Sequence, residues 1–303
     1  GGALEPERHM YDELLYVLSG RGLTEVWSTD AGSKVLFEWQ TGSLFAPPMN
    51  AWHRLINGSG NEPVRLLAVT SAPLVIDLYH SPEFVFGCDY QFSDRFDGRA
   101  DYFSVKERVE AMTNFGQICL WDTNFIPDVR HVELAPLEQV GAGSASVSYE
   151  MSDNVLVGHM AEFPVGRYKK GHYHGGGAIL LTISSQGYTL MWPKDVGSRP
   201  YESGHGEQVQ QIPWQEGSVL SPPTGWFHQH FNTGSQPARQ LALRYGSQKY
   251  GLQFHDIHAG DGPRLGIKQG GTQIDYEDED PEIRRRFLEQ LSAGGLQCEY
   301  SSP

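Results

Sequence analysis

The chain has 303 residues, of which 39% are hydrophobic and 20% are charged, as expected of a soluble globular protein with room for two domains. Its formal net charge of −14 argues against a nucleic-acid partner, because such partners are bound by clustered Lys and Arg. Its apolar runs fall far below the ~20 residues of a membrane span, and its first residues show no signal-peptide pattern. We therefore expect a cytoplasmic protein with neither a membrane nor a nucleic-acid partner.

Short segments rich in Val, Leu and aromatic residues alternate with Gly and Pro along the chain. With 35 Gly and 18 Pro, this pattern predicts an all-β fold of barrel or sandwich type. In the first half, the clearest predicted strands are residues 14–18, 23–27, 35–39, 64–70 and 74–79. In the second half, they are residues 155–163, 178–184, 188–192, 217–221 and 240–245. A short helix is predicted near residues 281–291, where acidic residues precede basic ones.

The two halves of the chain repeat one another. Residues 22–27 match residues 187–192, and residues 42–48 match residues 217–223. In this alignment four polar residues of the first half, Glu7, His9, Glu13 and His53, fall in that order on His172, His174, Ala178 and His228. Self-similarity of this kind indicates two copies of one domain.

The repeat predicts two tandem barrels with other segments around them. We place an N-terminal barrel at residues 1–85, a linker segment that packs across the barrels at 86–145, a C-terminal barrel at 146–250, and a tail with the short helix at 251–303. No strand precedes the motif of the first barrel, so we expect that barrel to take a strand from the linker, the tail or a second subunit.

Three histidines of the second half have the spacing of metal ligands. Residues two apart on a strand point to the same face, so His172 and His174 are predicted to share a face. His228, on a neighbouring strand, would then complete a site of three nitrogen donors. Three neutral imidazoles suit Fe, Zn, Mn, Ni or Cu and leave positions open for a substrate.

The residues around these histidines form two longer motifs. Gly166 stands five residues before His172-x-His174, and residues 217–232 read Gly-x5-Pro-x-Gly-x2-His-x3-Asn. In both motifs the chain resembles the cupin superfamily, and through its repeat it is similar to the bicupins. The resemblance covers roughly residues 7–72 and 155–245. It implies two small antiparallel barrels of the double-stranded β-helix or jelly-roll type, and it implies a divalent metal held by His172, His174 and His228.

One departure from the cupin pattern narrows the resemblance. Cupins usually add a Glu to the three histidines, whereas Ala178 and Ile179 stand at its place here. In this respect the chain is similar to gentisate 1,2-dioxygenase-like ring-cleaving dioxygenases, which implies Fe(II), and also to bacterial bicupins of unsettled function. Because cupin barrels tend to pair through their sheets, the resemblance further implies a homodimer or a higher homo-oligomer.

The first copy offers a different set of possible ligands. Glu7, His9, Glu13 and His53 are two carboxylates and two imidazoles, a set that can hold a divalent metal. Alternatively, Glu13 and His53 pair by a hydrogen bond at the barrel mouth without a metal.

Other residues of the second copy suit a substrate site. His230 is either an acid or base beside the metal or a structural histidine, and Arg244 is positioned to hold a substrate carboxylate. Four aromatic residues are predicted to line or wall the cavity: Tyr173, Tyr188, Trp192 and Trp226.

The sequence therefore supports one main hypothesis and two alternatives. The main hypothesis is an Fe(II) dioxygenase that acts on a small aromatic or enolic acid at the three-histidine site. The first alternative is a non-oxidative isomerase, lyase or hydrolase of a small sugar- or keto-acid-like substrate, in which Zn, Mn or Ni serves as a Lewis acid. The second is a module that binds a small molecule without turnover.

Overall fold

The computed structural model describes residues 1–28, 34–106, 109–113, 116–175, 177–247 and 265–298. Within these residues the fold is all-β, with two tandem antiparallel barrels and a short C-terminal helix, as the sequence predicts. The predicted boundary between the second barrel and the tail, at residue 250, lies outside the described part of the chain. None of the described helices is long and apolar enough to cross a membrane.

The strands lie between turns that contain Gly and Pro, as the sequence predicts. From the start of the chain they are β1 (Glu13–Ser19), β2 (Arg21–Trp27), β3 (Val35–Gln40), β4 (Leu44–Phe45), β5 (Trp52–Asn57), β6 (Arg65–Thr70), β7 (Val109–Thr113), β8 (Gly116–Asp122) and β9 (Phe125–Ile126). They continue with β10 (Ala135–Pro136), β11 (Ala145–Glu150), β12 (Leu156–Phe163), β13 (Ile179–Ser184), β14 (Gln186–Pro193), β15 (Gln210–Gln215), β16 (Val219–Leu220), β17 (Trp226–Asn232) and β18 (Ala238–Tyr245). The helices are α1 (Ala72–Tyr79), α2 (Pro82–Gly87) and α3 (Pro281–Ala293).

The first barrel is built from two facing sheets. One has the order β6-β1-β4-β9 and the other the order β3-β2-β5. Strand β9 comes from the segment between the barrels, and it pairs with β4 through Leu44 and Ile126. The first barrel thus takes a strand from this segment, one of the three sources that the sequence left open.

The second barrel has the same plan with a larger outer sheet. Its sheets have the orders β16-β13-β18-β12-β11-β8-β7 and β15-β14-β17, and β10 pairs with β11 at the side of the larger sheet. Strand β8 runs parallel to β11, and β7 extends the sheet beyond it. The segment between the barrels therefore contributes strands to both of them.

Strand register shows that the two barrels are copies. In the first barrel Val26 pairs with His53, and in the second Met191 pairs with His228, at the positions that the repeat aligns. The small sheets thus place equivalent residues at equivalent points.

An indole-to-glycine contact is also repeated. In the second barrel, a Cβ atom on Gly187 would lie 2.7 Å from the ring of Trp214, so only glycine leaves room for the indole. Gly22 has the same relation to Trp39 in the first barrel.

One apolar core joins the barrels. Leu14 and Tyr16 point from β1 away from the interior of their own barrel, and they pack in a single buried group with Leu181 and Leu243 of the second barrel. Because apolar burial contributes roughly 25 cal/mol per Å², a core shared in this way holds the two barrels together.

The prediction of a strand at residues 74–79 is wrong. These residues belong to α1, which has a Pro in its first turn and ends at His80 in the left-handed conformation. A short apolar run such as Leu-Val-Ile-Asp-Leu-Tyr does not distinguish strand from helix by periodicity. The predicted strand at 217–221 is also shorter than expected, since β16 comprises only Val219 and Leu220.

Helix α3 confirms the predicted C-terminal helix. Asp280 caps it by accepting a hydrogen bond from the Glu282 backbone N–H. Ile283, Phe287 and Leu291 form its buried face and pack on the outer surface of β14 and β17. The C-terminal segment thereby covers the back of the small sheet in the second barrel.

Candidate metal centre

The three histidines lie at one end of the second barrel. His228 is on β17, and its backbone N–H and C=O pair with those of His172 in an isolated antiparallel bridge. The expectation that His172 and His174 share a regular strand is wrong, because only His172 forms a bridge and His174 lies outside any strand. Gly225, with a φ of +72°, supports the turn that leads into β17.

The structure nevertheless brings the three imidazoles together. One ring nitrogen from each of His172, His174 and His228 lies within 4.8 Å of the others. In each ring the Nδ1 atom faces a backbone carbonyl, that of Lys170 at 3.1 Å, Gly175 at 3.0 Å and Trp226 at 3.1 Å. An Nδ1–H that donates to a carbonyl leaves the lone pair on Nε2, so the three Nε2 atoms are available as ligands.

Burial keeps these histidines neutral. It lowers the pKa of His172 and His228 well below the usual value, and neighbouring histidines add to the effect. Burial followed by the Arg244 charge lowers the pKa of His174 to about 4. Neutral imidazoles bind a metal without first releasing a proton, so the site is ready for a divalent cation near neutral pH.

The described residues provide no carboxylate to this group. Ala178, at the position where a fourth ligand would be expected, is buried and apolar. The candidate ligand set is therefore three neutral nitrogen donors. The chemistry of this set fits a borderline metal such as Fe(II), Mn, Zn, Ni or Cu.

The first barrel brings together the aligned set. Ligand atoms of His9, Glu13 and His53 lie within 4.8 Å of one another. The Glu13 carboxylate is 3.5 Å from His9 Nε2 and 3.7 Å from His53 Nε2, and the half-exposed Glu7 is also 3.7 Å from His53 Nε2. His53 Nε2 is buried and has no hydrogen-bond partner in the described structure. That buried nitrogen points at two carboxylates, an arrangement that fits a divalent cation.

His230 lies beside the three histidines but is not one of the converging group. Its Nδ1 is 2.8 Å from the Thr189 hydroxyl, which accepts a hydrogen bond from the Trp214 indole N–H at 3.1 Å. Because the indole can only donate, the one hydroxyl proton is free to reach His230 Nδ1. In that orientation of the hydroxyl, Nδ1 accepts, and the Nε2 of the neutral ring carries the proton and is a donor.

Arg244 lies on β18, where its positive charge contributes to the low pKa of His174. The guanidinium is therefore within electrostatic range of the three histidines. This placement is compatible with the predicted role of Arg244 in holding a substrate carboxylate.

Two of the four predicted cavity residues lie elsewhere. Tyr188 and Trp192 pack on the outer face of the small sheet, in the apolar group that includes Phe287 of α3. They support the sheet from behind and do not line the cavity, which corrects the prediction.

Of the other two aromatic residues, Tyr173 also packs with the outer group, and Trp226 lies on the histidine side. The Tyr173 ring meets Phe227, whose side chain also belongs to the outer group, at a centroid distance of 5.0 Å. Trp226 shares the strand face of His228 and His230 by alternation along β17, so it is the one of the four on the histidine side.

Sequence reasoning missed several buried polar residues in the second barrel. Lys169 is 8% exposed, and Thr182 and Gln240 are each 1% exposed. Thr182 and Gln240 fall within predicted strands, where their polarity against apolar neighbours was the available signal.

Comparison with known proteins does not assign a function to the chain. No protein-family model and no curated protein matches the chain. Among solved structures, the oxalate decarboxylase of Bacillus subtilis at pH 4.6 matches at 17% identity and a TM-score of 0.47, over 80% of this chain and 64% of that chain. A second structure of the Bacillus subtilis oxalate decarboxylase, described for its Mn(II) centres, matches at 17% identity and a TM-score of 0.47, over 82% of this chain and 66% of that chain. This chain thus spans just under two thirds of the length of those proteins.

Proposed function

We propose that the protein is a metal-dependent enzyme of the bicupin type, and that it is an Fe(II) dioxygenase of a small aromatic or enolic acid. The observation that carries this proposal is the convergence of His172, His174 and His228 as neutral donors, with no carboxylate among the described residues of the group. Three neutral ligands leave the charge of a divalent cation uncompensated, so the site favours an anionic substrate. Iron in this position would hold the acid and relay electrons between it and dioxygen.

The protein side chains have distinct parts in this proposal. Arg244 orients the substrate through its carboxylate, because a guanidinium can donate two parallel hydrogen bonds to that group. His230 donates from Nε2 while the Thr189 hydroxyl fixes its ring, so it can stabilise negative charge that develops on a substrate oxygen. Of the three ligands, His228 is buried and the other two are half-buried, so the ligands are only partly exposed to water.

Metal content and oxygen uptake together test the proposal. Protein purified without added metal should contain iron, and iron-reconstituted protein should consume oxygen with gentisate or salicylate. A His205→Ala variant serves as the matched control for His174→Ala, since His205 lies half-exposed on a surface loop. Zinc, manganese or nickel as the bound metal, together with no oxygen uptake, would contradict the dioxygenase and favour the non-oxidative alternative.

A further test separates an enzyme from a binding module. If the second barrel only binds a small molecule, His174→Ala should retain affinity for salicylate. An enzyme that uses the metal to hold its substrate should lose that affinity in the variant.

A further inference from the structure

Lys169 is a buried cation without a counterion in the described structure. Its side chain lies among apolar groups, with the ammonium 5.4 Å from the centre of the Phe163 ring. None of the ion pairs or hydrogen bonds among the described residues involves this ammonium. A buried charge without a partner costs several kcal/mol, so such a group calls for a ligand or a change in protonation. Burial lowers the pKa of Lys169 to about 8, so a large part of the ammonium remains charged at neutral pH.

A local irregularity of the backbone turns Lys169 inward. Three residues separate Tyr168 from His172, whereas two separate their bridge partners Phe231 and His228. The extra residue forms a bulge, which breaks the alternation of side chains. As a result Lys169 and His172 both face the barrel interior, while Lys170 faces out and pairs with Asp275 at 2.7 Å.

Electrostatics supports the inward position of Lys169. Its charge contributes to the low pKa values of His172, His228 and His230. For His230 it is the largest contribution after burial. The ammonium therefore lies on the same side of β17 as the imidazoles.

Two further polar groups lie on the opposite sheet without partners. Neither amide atom of Gln240 makes a hydrogen bond, and neither does the hydroxyl of Thr182. The two residues are directly paired between β18 and β13, so their side chains share a face. Ala238 and Ala242, which flank Gln240 by alternation, pack with Phe163 and Trp214, the inner side of the barrel.

Lys169 and Gln240 both lie next to the C-terminal end of β12. Phe163, which the ammonium overlies, pairs with Ala238, and Ala161 pairs with Gln240. Gln240 is thus a diagonal neighbour of Phe163, at a spacing of about 7–8 Å in a sheet. An ammonium, an amide and a hydroxyl, all lacking partners, face one region of the interior.

We propose that Lys169, Gln240 and Thr182 form a subsite that binds a carboxylate of the substrate inside the second barrel, on the interior side of the three histidines. The ammonium, the amide N–H and the hydroxyl can all donate hydrogen bonds to a carboxylate, and the carboxylate charge balances the ammonium. The inference rests on the proposed function in taking the carboxylate to be that of the substrate.

The subsite is separate from Arg244. Gln240 and Arg244 stand four positions apart along β18, so their Cα atoms are about 13 Å apart at 3.3 Å per residue. The two sites therefore hold different oxygens of one substrate. The substrate class is accordingly a small acid with a second anionic or phenolic group.

Acetate binding to the metal-free, full-length protein tests the subsite without reference to turnover. The probe is the ¹³Cε signal of Lys169 in protein labelled at lysine, assigned by its loss in Lys169→Met. Acetate should shift this signal saturably, whereas the uncharged isostere acetamide should bind at least about tenfold more weakly, since hydrogen bonds to charged groups are stronger than those between neutral groups. Chloride at equal ionic strength should not reproduce the shift.

Matched variants locate the binding. Gln240→Leu should raise the dissociation constant of acetate at least about threefold, whereas Lys170→Met, which removes the neighbouring outward lysine, should leave it unchanged. A Lys169 signal that acetate does not move, or that acetamide or chloride moves equally, would overturn the subsite. Because the protein carries no metal in this experiment, that failure leaves oxygen uptake untouched. Loss of the dioxygenase hypothesis would equally leave acetate binding intact.

Discussion

The two barrels have the same strand registers but different ligand sets. His53 and His228 occupy the same place in their sheets, yet His53 faces Glu7 and Glu13, whereas His228 faces two further histidines. The fold thus determines where the ligands are, and residue identity determines their charge. With a divalent cation, Glu13 and two imidazoles give a site of charge +1, which Glu7 would neutralise if it also bound, whereas three imidazoles give a site of charge +2. The second barrel is therefore the one suited to draw in an anion.

The largest expected effect comes from removing one ligand of the second barrel. His174→Ala should abolish metal binding in that barrel and lower oxygen uptake by more than about 100-fold. Replacing a residue that merely hydrogen-bonds to a metal ligand already lowers metal affinity or activity by about 10–100-fold. His53→Ala should remove a metal from the first barrel only. Metal content per chain and oxygen uptake, measured in parallel, check both outcomes. Equal loss of activity in the two variants would contradict a division of roles between the barrels.

A pH effect should distinguish the second barrel, whose back is covered by the C-terminal segment. Glu279 in this segment accepts hydrogen bonds from Tyr168 at 2.9 Å and from Gln229 at 2.5 Å, and burial raises its pKa to about 7. Between about pH 4.5, the usual pKa of a Glu, and about pH 7, Glu279 is more protonated in the folded state than in the unfolded state. The contribution of Glu279 to stability should therefore be full below about pH 4.5 and fall by roughly 3 kcal/mol as pH rises to about 7.

Glu279→Gln tests the sign of this effect. The variant has no proton to lose, so its urea midpoint should vary less between pH 5 and 7.5 than that of the parent protein. Glu282→Gln, in the exposed first turn of α3, is the control and should keep the parental slope. A parental midpoint that rises across this range would show that Glu279 stays ionised in the folded protein.

Adding a carboxylate to the second barrel should make it resemble the first. Ala178→Glu places a carboxylate at the position aligned with Glu13, which should reduce the charge of the metal site. We expect tighter metal binding and a KM for an acidic substrate raised by about tenfold, or 1.4 kcal/mol. A competition titration with a chelator and steady-state oxygen uptake measure the two effects. An unchanged KM would mean that site charge does not govern selection of the acid.

The smallest effect concerns a hydrogen bond present in both barrels. Thr189 accepts from Trp214 and contacts His230, whereas the aligned Thr24 accepts from Trp39 at 2.9 Å and contacts no histidine among the described residues. Thr189→Val and Thr24→Val should each cost about 1 kcal/mol of stability. Only Thr189→Val should also lower kcat, by less than about tenfold, with little change in KM. A similar fall in kcat for both variants would assign the effect to stability alone.

Much of this architecture is predictable from the sequence because its determinants are local. Period-two alternation and Gly or Pro turns predict most strands, and the repeat predicts which residues meet His228 and His53. The side of the sheet that Tyr188 and Trp192 face is not local, because it depends on α3, almost a hundred residues away. Lys169 is missed for a similar reason, since a bulge in the backbone turns it inward and no motif signals that.

The segment between the barrels has a consequence for how the protein is made. The core of the first barrel includes Phe96, Tyr102 and Phe103, and β9 closes its outer sheet through Phe125 and Ile126. A nascent chain that has emerged only to the end of β6 lacks these parts. The first barrel therefore completes its fold only after Ile126 has left the ribosome, several seconds later at 5–20 residues per second.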